Sequence, residues 1–176
     1  MVNIKTKLYY DWTVFTECKY PEPSSCISHQ VYEMLDIHKK FGGFPDTYKF
    51  ENTIIRQRWW KPKEIDFEYF GTQLNMEVIT VSSIQQPAGC VVPWHRDTFF
   101  KIKKQYPERK DKLVRALVML KDWDMGHFLQ ADDEVIHHWS AGDAFIWSEE
   151  VLHVGANAGF RPKFTLQVSG YLNDKL

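Results

Sequence analysis

The spacing of apolar residues changes near position 76. Before it, apolar side chains recur at helical spacing over residues 27–40, which predicts an amphipathic helix ended by Gly42 and Gly43. The inward-facing positions of that helix would be Val31, Met34, Leu35 and Ile37. A second helix is predicted over residues 63–74, and an edge strand over residues 8–15.

After position 76, short runs of β-branched and aromatic residues alternate with turn signals, a pattern typical of an all-β unit. The predicted strands cover residues 77–84, 90–95, 113–121, 127–130, 134–139, 144–148, 151–154 and 163–171. The lysine-rich segment 98–111 is predicted to be an excursion or short helix outside the sheets. This many short strands predict a mainly β fold, a sandwich or rolled barrel with flanking helices.

Length and composition indicate the number of domains, the kind of core and the expected partners. The 176 residues fit one domain spanning 1–176, with a β core at about 76–171 supported by residues 1–75. Aromatic residues make up 15% of the chain, which favours a core packed with large rings. The 22 basic and 23 acidic residues nearly cancel, so neither nucleic acid nor a membrane is an expected partner. The charge says nothing about oligomeric state.

The cysteine pattern indicates the redox state of the cellular compartment. Cys18, Cys26 and Cys90 form no C-x-x-C pair and follow no secretory leader, so a reducing cytoplasm is predicted. No apolar run approaches the roughly 20 residues that a membrane-spanning helix needs.

The residues with most chemical information are His95, Asp97 and His153. Residues two apart in a strand share a face, so His95 and Asp97 form a chelating pair at one strand end. A third ligand must then come from another strand, and His153 is the candidate. Two imidazoles and one carboxylate leave half of an octahedron open, which suits ferrous iron that must also bind a cosubstrate and dioxygen.

The sequence around these ligands resembles a known superfamily. The motifs are Pro87-Ala-Gly89, Pro93-Trp-His-Arg-Asp97, Trp139-Ser-Ala-Gly-Asp-Ala-Phe-Ile-Trp147, His153-Val-Gly-Ala-Asn157 and Lys163-Phe-Thr-Leu-Gln-Val-Ser-Gly170. Together they resemble the 2-oxoglutarate/Fe(II)-dependent oxygenases, and their order is most similar to the aspartyl/asparaginyl β-hydroxylase and prolyl-hydroxylase-like branches. The resemblance covers about residues 76–171 and implies a double-stranded β-helix, the jelly roll that cupins share.

The resemblance also implies roles for particular residues. His95, Asp97 and His153 would be the catalytic iron ligands. In this superfamily a cation at the start of the last core strand binds the far carboxylate of 2-oxoglutarate, and two residues are candidates here. Lys163 is favoured, with the Thr165 hydroxyl on the same strand face, and Arg161 is the second candidate.

The implied reaction is hydroxylation of an unactivated C–H bond, driven by dioxygen and oxidative decarboxylation of 2-oxoglutarate. The substrate would be a small molecule or peptide, with a peptidyl or free amino acid the first hypothesis. Two alternatives remain: a cupin-like metal enzyme that does not use 2-oxoglutarate, and a non-catalytic β-sandwich binding module.

The remaining histidines are expected to be structural. His29 and His38 are assigned to a surface helix, and His137 and His138 to hydrogen-bonded positions in the β region. His127 has the same assignment, but a role beside the substrate also stays open.

Overall fold

Two antiparallel sheets form the structure, a computed structural model that describes residues 4–27, 35–40 and 42–173. The strands of the described chain are β1 (Ile4–Lys7), β2 (Ser24–Ser25), β3 (Ile54–Trp59), β4 (Met76–Gln86), β5 (Cys90–His95), β6 (Leu113–Met119), β7 (His127–Ala131), β8 (Glu134–Ile136), β9 (Asp143–Ser148), β10 (His153–Asn157) and β11 (Lys163–Leu172). The helices are Thr13–Thr16, Leu35–Lys40, Phe67–Leu74 and Phe100–Gln105, with a 3-10 turn at Phe50–Asn52.

The strand order is that of a jelly roll. The large sheet runs β1-β9-β6-β11-β4-β3-β2 and the small sheet β5-β10-β7-β8. From β4 onward the chain passes back and forth between the sheets, so strands far apart in sequence become neighbours. The fold is therefore mainly β with flanking helices, a double-stranded β-helix, as the sequence predicts.

Strand β11 shows how alternation builds the two sides of the large sheet. Phe164, Leu166 and Val168 belong to the apolar core on the outer side of that sheet. The residues between them instead line a cavity on its inner side: Lys163, Thr165, Gln167 and Ser169. A single strand thus separates a dry core from a polar wall, because successive side chains point to opposite faces.

Residues from the first part of the chain cover the outer side of the large sheet. Phe15, Trp60 and Phe70 pack edge to face there, with the Phe15 ring 5.1 Å from Trp60 and 6.1 Å from Phe70. Helix Phe67–Leu74 supplies two of the buried residues, and Asp66 caps it by accepting a hydrogen bond from the Tyr69 backbone N–H at 2.9 Å. The aromatic residues therefore serve packing, as expected.

A second core lies between the two sheets. Its members are Leu117, Met119, Leu129, Ala131, Ile136, Trp139, Phe145, Trp147 and Val151. They come from strands of both sheets and from neighbouring loops, so this cluster packs the sheets against each other, and Leu117, Leu129 and Trp147 also line the cavity between them.

Several sequence predictions differ from the structure. Residues 8–15 are not a strand: β1 comes earlier, at Ile4–Lys7, and Thr13–Thr16 is helical. Strand β3 was not predicted. The helix predicted over residues 27–40 is seen at Leu35–Lys40, while residues 28–34, including Val31 and Met34, lie outside the described residues. Strand β5 matches its predicted bounds, and segment 98–111 contains the short helix Phe100–Gln105.

Two further observations concern the cysteines and the helices. Cys18, Cys26 and Cys90 are all free thiols. Within the described ranges, none of the helices combines the length and the apolar character required to cross a bilayer.

We expect Phe70→Ala to lower the free energy of unfolding by about 3–5 kcal/mol, because the ring is fully buried and its removal leaves a cavity. Urea unfolding followed by circular dichroism measures the change. The matched control is Phe160→Ala, at a position 90% exposed, which should change stability by no more than about 0.5 kcal/mol. Equal effects of the two substitutions would contradict the assignment of the helix-to-sheet core.

Candidate metal centre

Three potential ligands converge on the wall of a cavity between the two sheets. One ligand atom each from His95, Asp97 and His153 lie within 4.8 Å of one another. His153 begins β10 and is the direct cross-strand partner of His95 at the end of β5. Asp97 follows two residues after His95. The pairing of two strands from distant parts of the sequence therefore assembles the cluster.

Both imidazole rings are oriented by the backbone. The Nδ1 atom of His95 lies 2.8 Å from the Pro93 carbonyl oxygen, and that of His153 lies 3.2 Å from the Val151 carbonyl oxygen. A carbonyl only accepts hydrogen bonds, so Nδ1 must donate, and the neutral ring keeps its lone pair on Nε2. The His153 Nε2 atom faces the Asp97 carboxylate, 3.8 Å from Oδ2.

The protonation states suit metal binding. Burial and the neighbouring His153 lower the pKa of His95 to about 3, and burial also lowers the pKa of His153. Both rings are therefore neutral at physiological pH, which is the form that ligates a metal. Two neutral imidazoles and one carboxylate fit a divalent first-row metal that keeps open coordination positions.

Asp97 is a buried carboxylate held by two donors. The Arg115 guanidinium forms an ion pair with Oδ1, and the Trp147 indole N–H donates to Oδ2 at 3.0 Å. Burial alone would raise the pKa of Asp97, but Arg115, the two neighbouring imidazoles and the Trp147 hydrogen bond together outweigh it, so the pKa lies below its usual value. Each oxygen has two lone pairs, so one donor apiece still leaves room to bind a metal.

Arg115 was missed in the sequence. It lies on β6, donates from Nε to the Ser169 hydroxyl at 3.1 Å, and has its guanidinium 5.3 Å from the centre of the Phe99 ring. The available signal was an arginine within the otherwise apolar strand Leu113–Met119. A buried charge at such a position requires a partner, and the partner is Asp97.

The three ligands open into a cavity of about 460 Å³ between the sheets. That volume is typical of small-molecule sites. Lys163 and Thr165 line the same cavity, as does Gln86, which lies opposite Lys163 in the β4–β11 pairing. The Gln86 residue is only 3% exposed, and its side-chain amide N–H groups donate to the backbone carbonyls of Cys90 and Gly155.

Lys163 is a buried cation without a counter-ion. It is 6% exposed, and its ammonium group donates to the carbonyl oxygens of Phe128 at 2.8 Å and Ala156 at 3.1 Å. No carboxylate in the described part of the chain forms a salt bridge with it. Burial lowers its pKa to about 7. Gly155 makes room for the ammonium, since a Cβ there would lie 3.3 Å from Nζ.

Arg161 occupies a different place. Its side chain is 78% exposed and forms a bidentate pair with Asp124, at 2.6 and 3.0 Å. It does not line the cavity. The two candidate cations from the sequence are thus separated by the structure: one lies inside the barrel and the other on its surface.

Other residues highlighted in the sequence contact backbone carbonyl groups. His127 is buried, and its Nε2 lies 3.1 Å from the Arg161 carbonyl oxygen. Asn157 donates to the carbonyl oxygens of Gln86 and Arg161, which fastens the loop that leads to β11. The surface assignment of His38 was wrong: it is 9% exposed, its ring lies 4.0 Å from the Phe44 ring, and its Nε2 atom lies 3.1 Å from the Trp94 carbonyl oxygen.

The buried Lys163 makes stability depend on pH. Between about pH 7 and pH 10.5, the ordinary pKa of a lysine, the unfolded chain binds a proton at this position that the native protein has released. The free energy of unfolding that this group contributes therefore rises with pH across that window. We expect Lys163→Met to be more stable than the wild type at pH 7, because it removes a buried charge. This advantage in the free energy of unfolding should shrink by on the order of 2 kcal/mol between about pH 7 and pH 9.5. Urea unfolding at both values measures it, and a constant difference would contradict an uncompensated Lys163.

Comparison with solved structures identifies the fold. The structure is similar to a prolyl-4-hydroxylase from Pseudomonas putida, with a TM-score of 0.52 and 14% sequence identity over 96% of this chain and 91% of the other. Weaker similarities include KdgF from Halomonas sp. (TM-score 0.42, 12% identity, 68% and 81% of the two chains) and a predicted oxalate decarboxylase from Thermotoga maritima (0.43, 13%, 68% and 82%).

Sequence comparison adds no relative: no family model matches the chain, and no curated protein matches it. At 14% identity, the hydroxylase similarity speaks for the fold alone. The chain therefore has the double-stranded β-helix fold, and its chemistry depends on its own residues.

Proposed function

We propose that this protein is an Fe(II)- and 2-oxoglutarate-dependent dioxygenase that hydroxylates an unactivated C–H bond. One observation carries the proposal: an open set of three metal ligands and a buried, uncompensated lysine face the same cavity. A metal site alone would fit many enzymes. The added buried cation calls for an anionic ligand, and a dicarboxylate such as 2-oxoglutarate would offer one carboxylate to Lys163 and its other end to a metal held by the three ligands.

In this proposal His95, Asp97 and His153 hold the iron. Bound there, iron and 2-oxoglutarate supply dioxygen activation and hydrogen abstraction, with release of succinate and carbon dioxide. Arg115 and Trp147 fix the orientation of the Asp97 carboxylate, so the ligand is in place before the metal arrives.

Lys163 and Thr165 would bind the far carboxylate of 2-oxoglutarate. An anion beside the ammonium would compensate the positive charge of Lys163, which burial destabilises. The Thr165 hydroxyl lines the cavity on the same strand face and would donate a hydrogen bond to that anion. Arg161, paired with Asp124 at the surface, has no part in the proposed site.

The apolar side chains of the cavity would limit water around the reacting centre. Leu117 from one sheet and Leu129 from the other are both buried and line the cavity beside the ligands. Water exclusion strengthens the electrostatic contacts inside the site and protects reactive species.

The substrate is proposed to be a small molecule or peptide. The proposed compartment is a reducing cytoplasm, with which the three free thiols agree.

We expect Asp97→Ala to abolish metal-dependent succinate release, because it removes the charged ligand. Anaerobic addition of Fe(II) and then 2-oxoglutarate should produce a visible charge-transfer band in the wild type and none in the variant. Asp124→Ala is the control, since it removes a surface carboxylate that pairs with Arg161.

The same titration separates the alternatives. Metal binding without a 2-oxoglutarate-dependent band would favour a cupin-like metal enzyme. Binding of neither metal nor 2-oxoglutarate would favour a non-catalytic module and would refute the oxygenase.

We expect Lys163→Met to weaken 2-oxoglutarate binding by about 10- to 100-fold, since a buried charge-assisted contact contributes roughly 1.5–3 kcal/mol. Arg161→Met should leave the affinity unchanged. Anaerobic titration of the Fe(II)-loaded protein measures both dissociation constants. A larger loss in the Arg161 variant would reverse the assignment of the two cations.

A further inference from the structure

The charge inside the cavity is strongly unbalanced. Four cationic side chains line it, those of Arg96, Lys101, Arg115 and Lys163, and among the described lining residues Asp97 is the sole carboxylate. With Lys163 protonated, the wall carries an excess of three positive charges, although Asp132, outside the wall, offsets part of that of Arg96.

Loading the proposed site does not remove this excess. Divalent iron and dianionic 2-oxoglutarate cancel each other, and Arg115 already pairs with Asp97. After Lys163 is assigned to the cosubstrate, Arg96 and Lys101 remain. Arg96 donates to the Glu150 carbonyl oxygen and lies near Asp132, whereas Lys101 forms no salt bridge with the described residues. A cavity with such a field concentrates anions and disfavours cations.

Lys101 stands at the mouth on a fixed support. It belongs to helix Phe100–Gln105, which is anchored from below by the buried residues Phe99 and Ile102. Its ammonium lies 3.4 Å from the centre of the Trp59 ring, which is on β3 and 41% exposed. A cation on an aromatic face keeps its hydrogen-bond donors for another partner.

The other cations of this region have different surroundings. Lys103 forms an ion pair with Glu149, and Arg109 pairs with both Glu77 and Asp111. Lys104 extends over the Phe100 ring and does not line the cavity. The described chain forms no salt bridge to Lys101. Within the lysine-rich segment 98–111, Lys101 is thus the cation that lines the cavity, and the others form ion pairs or lie outside the cavity.

The surfaces next to Lys101 indicate the rest of the ligand. Trp59 and Phe100 are exposed aromatic rings at the mouth, so they can cover an apolar part of a bound molecule. Deeper in the cavity, Gln57 and Gln167 from the large sheet form a hydrogen-bonded group with Ser82. An anionic group at the mouth would leave the apolar carbons of the ligand between the aromatic rings and the metal ligands.

We propose that the substrate of this site is an organic anion whose carboxylate is bound by Lys101 and whose apolar portion packs on Trp59. The inference rests on the proposed function for the reaction, but the charge selectivity follows from the cavity wall alone. The carboxylate has two potential sources, a free acid and an acidic side chain of a peptide.

The test is a two-dimensional ¹H–¹⁵N NMR titration with probe pairs that differ only in charge. Hexanoate and hexanamide represent a free acid. N-acetyl-glutamate N-methylamide and N-acetyl-glutamine N-methylamide represent a peptide side chain. The full-length protein is used without iron or 2-oxoglutarate, so the result is independent of oxygenase activity.

We expect at least one anionic probe to bind about tenfold more tightly than its neutral partner and to shift the Trp59 indole signal. Lys101→Gln should remove that preference, whereas Lys104→Gln on the same helix should retain it. Preference for hexanoate alone would indicate a free acid, and binding of the capped glutamate would indicate a peptide side chain.

Three results would overturn the inference: equal binding of charged and neutral probes, no binding of either anion, or a preference that survives Lys101→Gln. A preference lost in Lys163→Met but kept in Lys101→Gln would also overturn it, since the anion would then occupy the proposed cosubstrate position. These outcomes leave the oxygenase proposal standing. Absence of the charge-transfer band would refute the oxygenase while leaving the measured charge selectivity intact.

Discussion

The burial of the Asp97 carboxylate is the constraint around which the centre is organised. A carboxylate at 6% exposure is costly unless it is paired, and Arg115 and Trp147 provide one donor for each oxygen. Because Arg115 is on β6 and Trp147 is on β9, the pairing connects the end of β5 to two strands of the other sheet. The ligand geometry therefore depends on the correct packing of both sheets, and removing either donor would leave one Asp97 oxygen without its partner.

The cavity combines two kinds of charged group with different consequences. Arg115 is neutralised by its neighbour and acts on the position of Asp97. Lys163 and Lys101 lack a carboxylate partner among the described residues, one deep on β11 and the other at the mouth. Burial makes the Lys163 ammonium costly to the native state, whereas Lys101 is exposed at the mouth. In the two proposals above, Lys163 would bind the cosubstrate and Lys101 would bind the substrate.

Sequence reasoning was most successful where a local pattern carries the information. The bounds of β5 follow from a short apolar run that ends before a charged segment, and a mainly β sandwich or rolled barrel follows from the number of short strands after position 76, while the jelly roll itself was implied by the family resemblance. It was less successful for β1 and β3. These strands are stabilised by pairing with β9 and β4, partners distant in sequence, so their local composition gave little indication of them. His38 was misplaced for the same reason: its burial results from contact with Trp94.

The sequence by itself determined the chemical groups and their local geometry. Alternation along a strand put Lys163 and Thr165 on one face, and the His-x-Asp spacing put two donors at one strand end. The tertiary structure decided which groups meet. The pairing of β5 with β10 brought His153 opposite His95, and the loop held by Asn157 left Arg161 outside with Asp124. Only the packing of the sheets brought Arg115 to Asp97. Those contacts join residues far apart along the chain, and their energies depend on burial and charge compensation that no local pattern encodes.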